Sequence, residues 1–391
     1  MGELRWRTAG ESHGSALVAI VEGLPSGLAL DVPRIDAMLA RRQRGYGRGR
    51  RMQIESDHVE VIAGLKRGVT LGSPVALLIR NADARIHQYR TFSRPRPGHA
   101  DLAGALKYGT RDCADIMERA SARETAARTA AGALVAQLLS ACGIDVLACT
   151  TSIAKVALPP ADLDAAALLA RVEAAAFGSG AADEEAAREA VDAARAARDT
   201  LGGTFEVTAT GVPAGLGSCM QWDQRLDGRL AQALMSIPGI KGVEVGVGFE
   251  AAGLSGRDCH DPILRSSHGV TRAQNRAGGI EGGMSNGAPI RLRAAMKPIP
   301  SLPQGLDSID LESGLSAPAD FERSDVCSVP AASVVGEAMV ALELARALLE
   351  AVQADRLLDL QELVQSKRDQ QRAFLAGQGP ESSGNSLTPD R

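Results

Sequence analysis

The 391-residue chain has few aromatic residues and no paired cysteines. Aromatic residues make up 3% of it, so Ala, Val, Leu and Ile have to build the core. Its six cysteines form no C-x-x-C pair, which matches neither a zinc site nor a disulfide framework. No H-x-x-x-H or H-E-x-x-H spacing indicates another metal site. These absences favour a protein of a reducing compartment that binds no metal.

Long hydrophobic runs and an excess of one charge are also missing. No apolar run reaches the ~18 residues that a membrane span needs. The N-terminal residues lack the basic and apolar regions of a signal peptide. The formal net charge of −4 is not that of a general nucleic-acid binder. We therefore expect a soluble, cytoplasmic protein that binds neither membranes nor nucleic acids.

The two common nucleotide-binding fingerprints are absent as well. Neither G-x-G-x-x-G between a strand and a helix nor G-x-x-x-x-G-K-[ST] occurs, so no Rossmann or P-loop unit is supported. The predicted strands form hairpins and meanders between long helices, which favours an α+β fold of layered helices and antiparallel sheets. No linker divides the chain. Residues 1–375 are predicted to form one domain, and residues 376–391 a disordered tail.

Local signals set the boundaries of several elements. Asp31 before Val32-Pro33 predicts a helix start. Ser121 and Glu124 fit a capping box, in which each side chain satisfies a free N–H group, at the start of an Ala-rich core helix that ends at Gly143. Other helices are predicted over 161–199 (two, broken at 178–180), 223–237, 329–352 and 357–375. Strands are predicted over 4–8, 15–22, 52–55, 59–63, 75–79, 144–156, 202–211 and 242–249.

A glycine-rich stretch from Arg276 to Ser301 is a candidate ligand-binding loop. Five glycines fall within residues 278–287, and such backbone can adopt positive φ or let a ligand approach closely. Basic residues flank these glycines on both sides. We interpret the stretch as the floor of a site for a flat, anionic ligand. A plain glycine-rich turn between strands is the alternative.

The segment from Arg41 to Arg51 holds six arginines in eleven residues and no acid. Such dense like charge is repulsive unless an anion lies among the side chains. Guanidinium groups bind carboxylate and phosphate bidentately, and the interleaved glycines indicate a loop folded over a ligand. The segment therefore predicts a site for a small polyanion, with a solvated basic loop as the alternative.

Two histidines and one aspartate are candidates for acid–base chemistry. His13 and His99 lie in tight turns, and a histidine can give or take protons near neutral pH. A structural hydrogen bond is the alternative role for each. Asp325 precedes a long helix and is either a base or a salt-bridge partner of Arg323. Ser328 or Ser333 is expected to cap that helix, whose N-terminus favours an anion nearby.

Taken together, these motifs resemble the chorismate synthase family over nearly the whole chain up to about residue 375. The matching stretches are AGESHG (9–14), GYGRGRRM (45–52), RPGHAD (96–101), KYG (107–109), RASARETAARTAAG (119–132), IKGVEVG (240–246), NRAGGIEGGMSNG (275–287), KPIPS (297–301) and RSDVCSVPAASVVGEAMVA (323–341). The resemblance implies a sandwich of helices and antiparallel sheets, and a homotetramer.

The resemblance also implies a lyase at the last step of the shikimate pathway to aromatic amino acids. Members convert 5-enolpyruvylshikimate 3-phosphate to chorismate by 1,4-elimination of phosphate and a ring hydrogen. They need reduced FMN (FMNH2) although there is no net redox change. NADPH is a candidate reductant, and the sequence leaves open whether the protein reduces its own flavin. The alternatives are a flavin oxidoreductase and an RNA-binding module that uses the arginines of residues 41–51. An RNA-binding module needs aromatic side chains that stack on bases, and Tyr46 is the single aromatic residue in that segment.

Roles for individual residues follow from the resemblance. His13 protonates the departing phosphate, His99 supplies a proton to the flavin, and Asp325 helps the flavin N5 to remove the ring proton. Residues expected to bind the substrate are Ser12, Arg42, Arg48, Arg51 and Arg123. Residues expected to bind cofactors are Arg42 and Arg48 (the positions linked with NADP), Arg119, Ala120, Ser121, Pro238, Gly239, Gly282, Lys297, Pro298, Ile299, Pro300, Ser301 and Arg323. Pro238-Gly239 departs from the Asn-Ala or Gln-Ala pair usual in the family.

Overall fold

A computed structural model of the chain describes residues 3–49, 56–161, 163, 165–266, 269–322 and 324–376. The helices are α1 (Val32–Gln43), α2 (Asp101–Tyr108), α3 (Ala114–Ala120), α4 (Thr125–Ala141), α5 (Ala165–Ala174), α6 (Glu185–Ala196), α7 (Leu226–Met235), α8 (Gly256–Cys259), α9 (Val329–Ala351) and α10 (Leu357–Leu375). Short 3₁₀ helices cover Ile86–Gln88, Ala122–Glu124, Trp222–Gln224 and Gly248–Gly253.

The longer strands are β1 (Arg5–Ala9), β2 (Ala16–Glu22), β3 (Val59–Ala63), β6 (Val75–Arg80), β7 (Asp145–Ile153), β9 (Gly203–Thr210), β10 (Ile240–Val245) and β15 (Ile290–Met296). The shorter ones are β4 (Leu65–Lys66), β5 (Val69–Thr70), β8 (Val156–Ala157), β11 (Ile263–Ser266), β12 (Gly269–Arg272), β13 (Ile280–Glu281), β14 (Met284–Ser285), β16 (Asp307–Ile309) and β17 (Ser316–Pro318).

The first sheet is antiparallel, with the strand order β1-β2-β6-β3. Successive side chains of a strand point to opposite faces, and β2 buries Leu17, Ala19 and Val21 on one face. Both β2 and β6 pack on α4. The β1–β2 hairpin therefore carries residues 10–15, which include His13, at one end of a rigid sheet.

The second sheet is also antiparallel, with the order β10-β15-β9-β7-β8. It packs through β7 and β9 on α9, with Phe205 and Val207 fully buried. The helices α4 and α9 contact each other, so they form a layer between the two sheets. This arrangement confirms the predicted α+β sandwich of helices and antiparallel sheets.

Most predicted element bounds agree with the structure. The Asp31 carboxylate accepts a hydrogen bond from the Arg34 N–H at 3.4 Å and caps α1, and α10 covers the predicted residues. The predicted strand at 52–55 and the tail from residue 377 lie outside the described residues. Within the described ranges, no helix is both long and apolar enough to cross a membrane.

The predicted capping box is wrong. Ser121 Oγ accepts from the Arg123 N–H at 3.3 Å and caps the 3₁₀ turn that precedes α4. The Glu124 carboxylate binds Arg128 instead, 2.7 Å from its Nη2. A charged partner one turn along the helix outweighs a single backbone N–H as a partner for a carboxylate. The strand predicted to reach Phe249 also ends earlier, because residues 248–253 form a 3₁₀ helix.

Candidate active site

One cavity of about 510 Å³ opens where loops from both sheets meet the helical layer. Its walls come from the turn after β1, the end of α1, the 96–100 loop, residues 117–125, the α7–β10 turn, residues 296–301 and the start of α9. The volume lies within the range of small-molecule sites, about 300–1,000 Å³.

The cavity gathers most of the residues that the sequence singled out. Those in its wall are Ser12, His13, Arg42, Arg48, His99, Ala120, Ser121, Arg123, Pro238, Gly239, Lys297, Pro298, Ile299, Pro300, Ser301 and Asp325. Arg119 instead directs its guanidinium to the carbonyl oxygens of Thr8 and Gly10. Gly282 lies in the β13–β14 turn, not in this wall. Arg51 and Arg323 lie outside the described residues.

Two arginines of the cavity share one buried carboxylate. Asp57 Oδ2 lies 3.1 Å from Arg42 Nη2, and Asp57 Oδ1 lies 2.6 Å from Arg123 Nη1. Burial and repulsion by Arg123 and Arg48 lower the pKa of Arg42 to about 10, although Asp57 opposes the shift. The buried Arg42 Nε has no hydrogen-bond partner among the described residues. Two guanidinium groups on one carboxylate leave a net positive charge that an anion would neutralise.

A buried asparagine links this arginine pair to the turn that carries His13. Asn81 Oδ1 accepts from Arg123 Nε at 2.9 Å, and Asn81 Nδ2 donates to the Gly14 carbonyl at 2.8 Å. Nothing in the sequence pattern marked Asn81 or Asp57, because each is a single polar residue beside a strand. The fold alone brings them to the arginines.

His13 is buried and held on three sides. Its Nδ1 lies 2.6 Å from Glu118 Oε1, and its backbone N–H donates to Glu118 Oε2 at 2.8 Å. The ring stacks on Tyr89, with the ring centroids 4.1 Å apart. No described residue lies within hydrogen-bond distance of Nε2; Asp83 Oδ2 is 3.8 Å away. Since Nδ1 is engaged, Nε2 is the nitrogen that can exchange a proton with a ligand.

His99 shows the same pattern on another loop. Its Nδ1 is hydrogen-bonded to Asp101 Oδ1, and Asp101 Oδ2 also accepts from Arg96 Nε at 2.7 Å. Burial would raise the pKa of Asp101, but the hydrogen bonds from His99 and Arg96 outweigh it and hold that pKa below its usual value. The RPGHAD motif contained both partners of His99, so they could have been found from the sequence.

Asp325 forms an ion pair with Arg48 across the cavity wall. Asp325 Oδ2 lies 2.6 Å from Arg48 Nη1, and Oδ1 accepts from the Gly49 N–H at 2.6 Å. The Ser328 hydroxyl also donates to Oδ2 at 2.6 Å. Ser328, one of the two residues expected to cap α9, occupies its N-cap position, but its side chain makes no capping hydrogen bond. The Ser333 hydroxyl donates to the Pro330 carbonyl.

Residues 297–301 form a wall of a different character. Lys297 Nζ donates to the Gly98 carbonyl, and burial, followed by repulsion from Lys241, lowers the pKa of this lysine. The Ser301 hydroxyl donates to the Glu322 carbonyl at 2.6 Å and anchors the far end of the segment. Apolar groups of Met117, Ile237 and Met296 stand beside it. The cavity thus combines an apolar wall with a cationic one.

The fold and the cavity, whose wall combines arginine, histidine and apolar side chains, are typical of an enzyme that acts on a small molecule. The sequence profile described as chorismate synthase matches residues 4–349. The chain is 50% identical over 390 residues to the chorismate synthase of Desulforudis audaxviator (strain MP104C), covering 96% of this chain and 100% of that protein. It is 52% identical over 380 residues to the chorismate synthase of Moorella thermoacetica (strain ATCC 39073 / JCM 9320), covering 93% of this chain and 98% of that protein.

A structure described as "Crystal Structure of Chorismate Synthase" matches with a TM-score of 0.79 at 40% identity, covering 96% of this chain and 100% of that one. The chain belongs to the chorismate synthase family. This confirms the predicted family, the α+β fold class and the assignment as an enzyme, a lyase connected with chorismate formation in the shikimate pathway. The cofactor, the residue roles, the oligomeric state and the cellular compartment stay predictions.

Proposed function

We propose that the enzyme converts 5-enolpyruvylshikimate 3-phosphate to chorismate and inorganic phosphate by 1,4-elimination, with reduced FMN and no net redox change. The C–O bond to phosphate breaks, a ring C–H gives up its proton, and the ring gains a double bond. The observation that carries the proposal is the meeting of Arg42, Arg48 and Arg123 with two carboxylate-bound histidines in one cavity.

The arginines account for binding of the substrate, which carries one phosphate and two carboxylates. Arg42 and Arg123 both face the cavity and share the Asp57 carboxylate, so a pair of guanidinium groups stands close together where an anion would bind. Arg48 already has Asp325 as a partner. A bound anion would share Arg48 with Asp325, which would free part of that carboxylate. Ser12, whose hydroxyl donates to Ser121 Oγ at 3.2 Å, offers a neutral hydrogen-bonding group on the same side.

Three residues are assigned to proton transfer. His13 gives a proton from Nε2 to the departing phosphate, because Glu118 occupies its other nitrogen. Asp325 takes the ring proton as the substrate draws Arg48 away from it. Asp101 engages Nδ1 of His99, so its Nε2 would be the atom that holds a proton towards a bound flavin.

The apolar wall fits the flavin. Gly98, Gly239 and Ala120 place little side-chain bulk there. Gly239 precedes β10 and has a φ of +87°, a backbone conformation that favours glycine. Lys297 to Ser301, together with Ser121, would hold the cofactor. When bound, reduced FMN supplies transient electron density that stabilises the allylic centre of the substrate.

The decisive experiment is an anaerobic assay of phosphate release with the enolpyruvyl substrate. We expect release with dithionite-reduced FMN, none with oxidised FMN or without flavin, and no stoichiometric oxidation of the flavin. Phosphate release that ignores reduced flavin would overturn the proposal. Release coupled to one flavin oxidised per turnover would support an oxidoreductase instead.

A second arm of the same assay tests NADPH as the reductant. We propose that Arg42 and Arg48 bind NADPH when it reduces the flavin, by analogy with the matching family positions. Turnover with NADPH and oxidised FMN, in the absence of dithionite, is the expected result. Turnover only with an external reductant such as dithionite would contradict this part of the proposal and leave the lyase reaction intact.

We also propose a homotetramer, as the family resemblance implies. Three large apolar side chains, those of Met220, Trp222 and Phe249, are more than four-fifths exposed in the single chain. Exposed apolar groups of this size mark protein–protein contacts when they lie together on a surface. A cytoplasmic location remains a prediction from the sequence.

A further inference from the structure

We propose that Glu118 is the positioning residue for His13 and keeps the proton of its neutral ring on Nδ1, so that Nε2 faces the reaction. The expected effect on kcat rests on the proposed function, whereas the expected effect on the His13 tautomer does not depend on which reaction the enzyme catalyses. Glu118 lies in the last turn of α3 and its side chain is 9% exposed.

Glu118 holds the turn before β2 through three hydrogen bonds. Its carbonyl oxygen accepts from the Ser12 N–H at 2.8 Å. Its carboxylate accepts from the His13 N–H through Oε2 at 2.8 Å, and its Oε1 lies 2.6 Å from Nδ1 of the ring. The two oxygens of one carboxylate thus face two nitrogen atoms of the same histidine, the backbone N and Nδ1. Side-chain packing alone does not require this double contact.

The other groups around His13 leave this role to Glu118. Tyr89 stacks on the ring face, Asp83 Oδ2 lies 3.8 Å from Nε2, and the Arg85 N–H donates to the His13 carbonyl oxygen at 3.0 Å. Asp83 is ion-paired with Arg85, 2.8 Å from its Nε. Glu118 is therefore the closest carboxylate to the ring.

The chemistry of the pair makes a carboxylate necessary. The backbone N–H and Nδ1–H of His13 are two donors that need two acceptors. A glutamine offers one acceptor and an NH2 group, so its NH2 would face Nδ1 and favour the Nε2–H tautomer. When Nε2 gives up a proton, the Nδ1–H tautomer remains, and Glu118 stabilises that form.

The structural test follows the tautomer of His13 in Glu118→Gln. The chain has six histidines, so uniform ¹⁵N-histidine labelling gives few ring signals, and His13→Ala assigns the one of interest. In alkaline solution, where the ring is neutral, we expect mainly Nδ1–H in the wild type and mainly Nε2–H in Glu118→Gln. The same tautomer in both proteins would overturn the proposal, whatever reaction the enzyme catalyses.

The kinetic test separates positioning from general structural support. Glu118→Gln is expected to lower kcat about 10-fold or more, with KM for the phosphorylated substrate within about threefold, because ground-state binding is retained. Glu118→Asp keeps both acceptors and should restore the Nδ1–H tautomer and most of kcat. If Glu118→Gln does not fold, Glu118→Asp carries the test, and an Nε2–H tautomer in it contradicts the proposal.

The matched control is Glu343→Gln. That glutamate has a comparably buried side chain, 14% exposed, and pairs with Arg229 away from the cavity. We expect wild-type kcat and an unchanged His13 tautomer in this variant. A loss of kcat in Glu343→Gln equal to that in Glu118→Gln would show a general effect of losing a buried carboxylate and would contradict the assignment.

Discussion

At the scale of single residues, the arginines and histidines of the cavity are held in place by carboxylates. Asp57 pairs with both Arg42 and Arg123, and the carboxylates of Glu118 and Asp101 engage one nitrogen of each histidine. The sequence showed the arginines and histidines, because they stand in dense or tightly turned motifs. It did not show Asp57 or Glu118, since one isolated acid carries no pattern.

Removal of either histidine should stop proton transfer but leave the fold intact. We expect His13→Ala and His99→Ala to lower turnover by ~10²-fold or more, from loss of general acid catalysis. Phosphate release under anaerobic conditions measures turnover, and thermal unfolding checks the fold. Near-normal activity in either variant would remove that histidine from its role.

Asp57 is expected to be important for stability because its buried carboxylate is ion-paired with two buried guanidinium groups, those of Arg42 and Arg123. Asp57→Asn should lower the free energy of unfolding by about 3–5 kcal/mol, the usual cost of breaking a buried ion pair from one side. Inorganic phosphate, added before thermal unfolding, should recover part of the loss by binding Arg42 and Arg123. Asp192→Asn, at an exposed ion pair with Arg195, is the control. Equal losses in both variants would contradict the account.

Asp101 contributes to the slope of the stability curve at acid pH. Its pKa is lower in the folded protein than the ordinary value of 3.8, so the ionised carboxylate stabilises the fold above that value. As the pH falls below about 4, the unfolded chain takes up the proton first and stability drops. Denaturant unfolding at several pH values should therefore show a shallower acid slope in Asp101→Asn. If the free energy of unfolding fell equally steeply with pH in the wild type and in Asp101→Asn, the assigned role of Asp101 would be wrong.

At the scale of elements, one glycine sets the distance between the central helices. A Cβ built at Gly132 of α4 would lie 2.4 Å from the Ala338 Cβ of α9, closer than packed atoms allow. Small side chains at this crossing let the two helices fill the narrow space between the sheets. The sequence indicated a core helix here from its alanine content, but the partner helix could not be read from one segment.

A matched pair of substitutions tests this crossing. Gly132→Ala should lower stability by about 1–3 kcal/mol through overpacking, although alanine is the better helix former. Gly228→Ala in α7 adds a Cβ that meets no atom within 4 Å, so it should raise stability by up to about 1 kcal/mol. Denaturant unfolding measures the free energy of unfolding of both variants against the wild type. A stabilised Gly132→Ala protein would mean that the helices can move apart freely.

Element bounds were predicted well wherever periodicity or a cap set them, as for α1 and α10. The failures lie where a side chain had a choice of partners. Glu124 binds Arg128 rather than a backbone N–H, and the Ser328 hydroxyl binds Asp325 rather than the start of α9. Sequence rules describe one helix end at a time, whereas these side chains respond to neighbours that only the fold supplies.

At the scale of the whole molecule, the cavity is assembled from seven or more separate segments of the chain. Motif resemblance predicted most of its wall, because the motifs carry the loops that converge there. Gly282, which was predicted to bind the cofactor, does not line the cavity of the single chain and lies instead in the turn of the β13–β14 hairpin. The glycines at 278 and 279 let backbone segments approach closely, since a Cβ at Gly278 would lie 2.3 Å from the Gly246 nitrogen.

The proposed homotetramer predicts the solution mass. Sedimentation equilibrium should give four chains of 40.7 kDa each. The double variant Trp222→Glu, Phe249→Glu should shift the protein to smaller species, because a charge cannot be buried unpaired at an interface. Lys66→Glu, a charge change at an exposed position, should leave the mass unchanged. A monomeric wild type would refute the proposal.

The proposed reaction requires one cavity to hold two anionic molecules together. A crystal structure of the enzyme with FMN and the enolpyruvyl phosphate substrate tests it most directly. We expect both molecules in the 510 Å³ cavity, with substrate phosphate or carboxylate groups at Arg42 and Arg123 and the flavin ring along residues 297–301. Flavin bound elsewhere, with the arginine side of the cavity free of substrate, would contradict it.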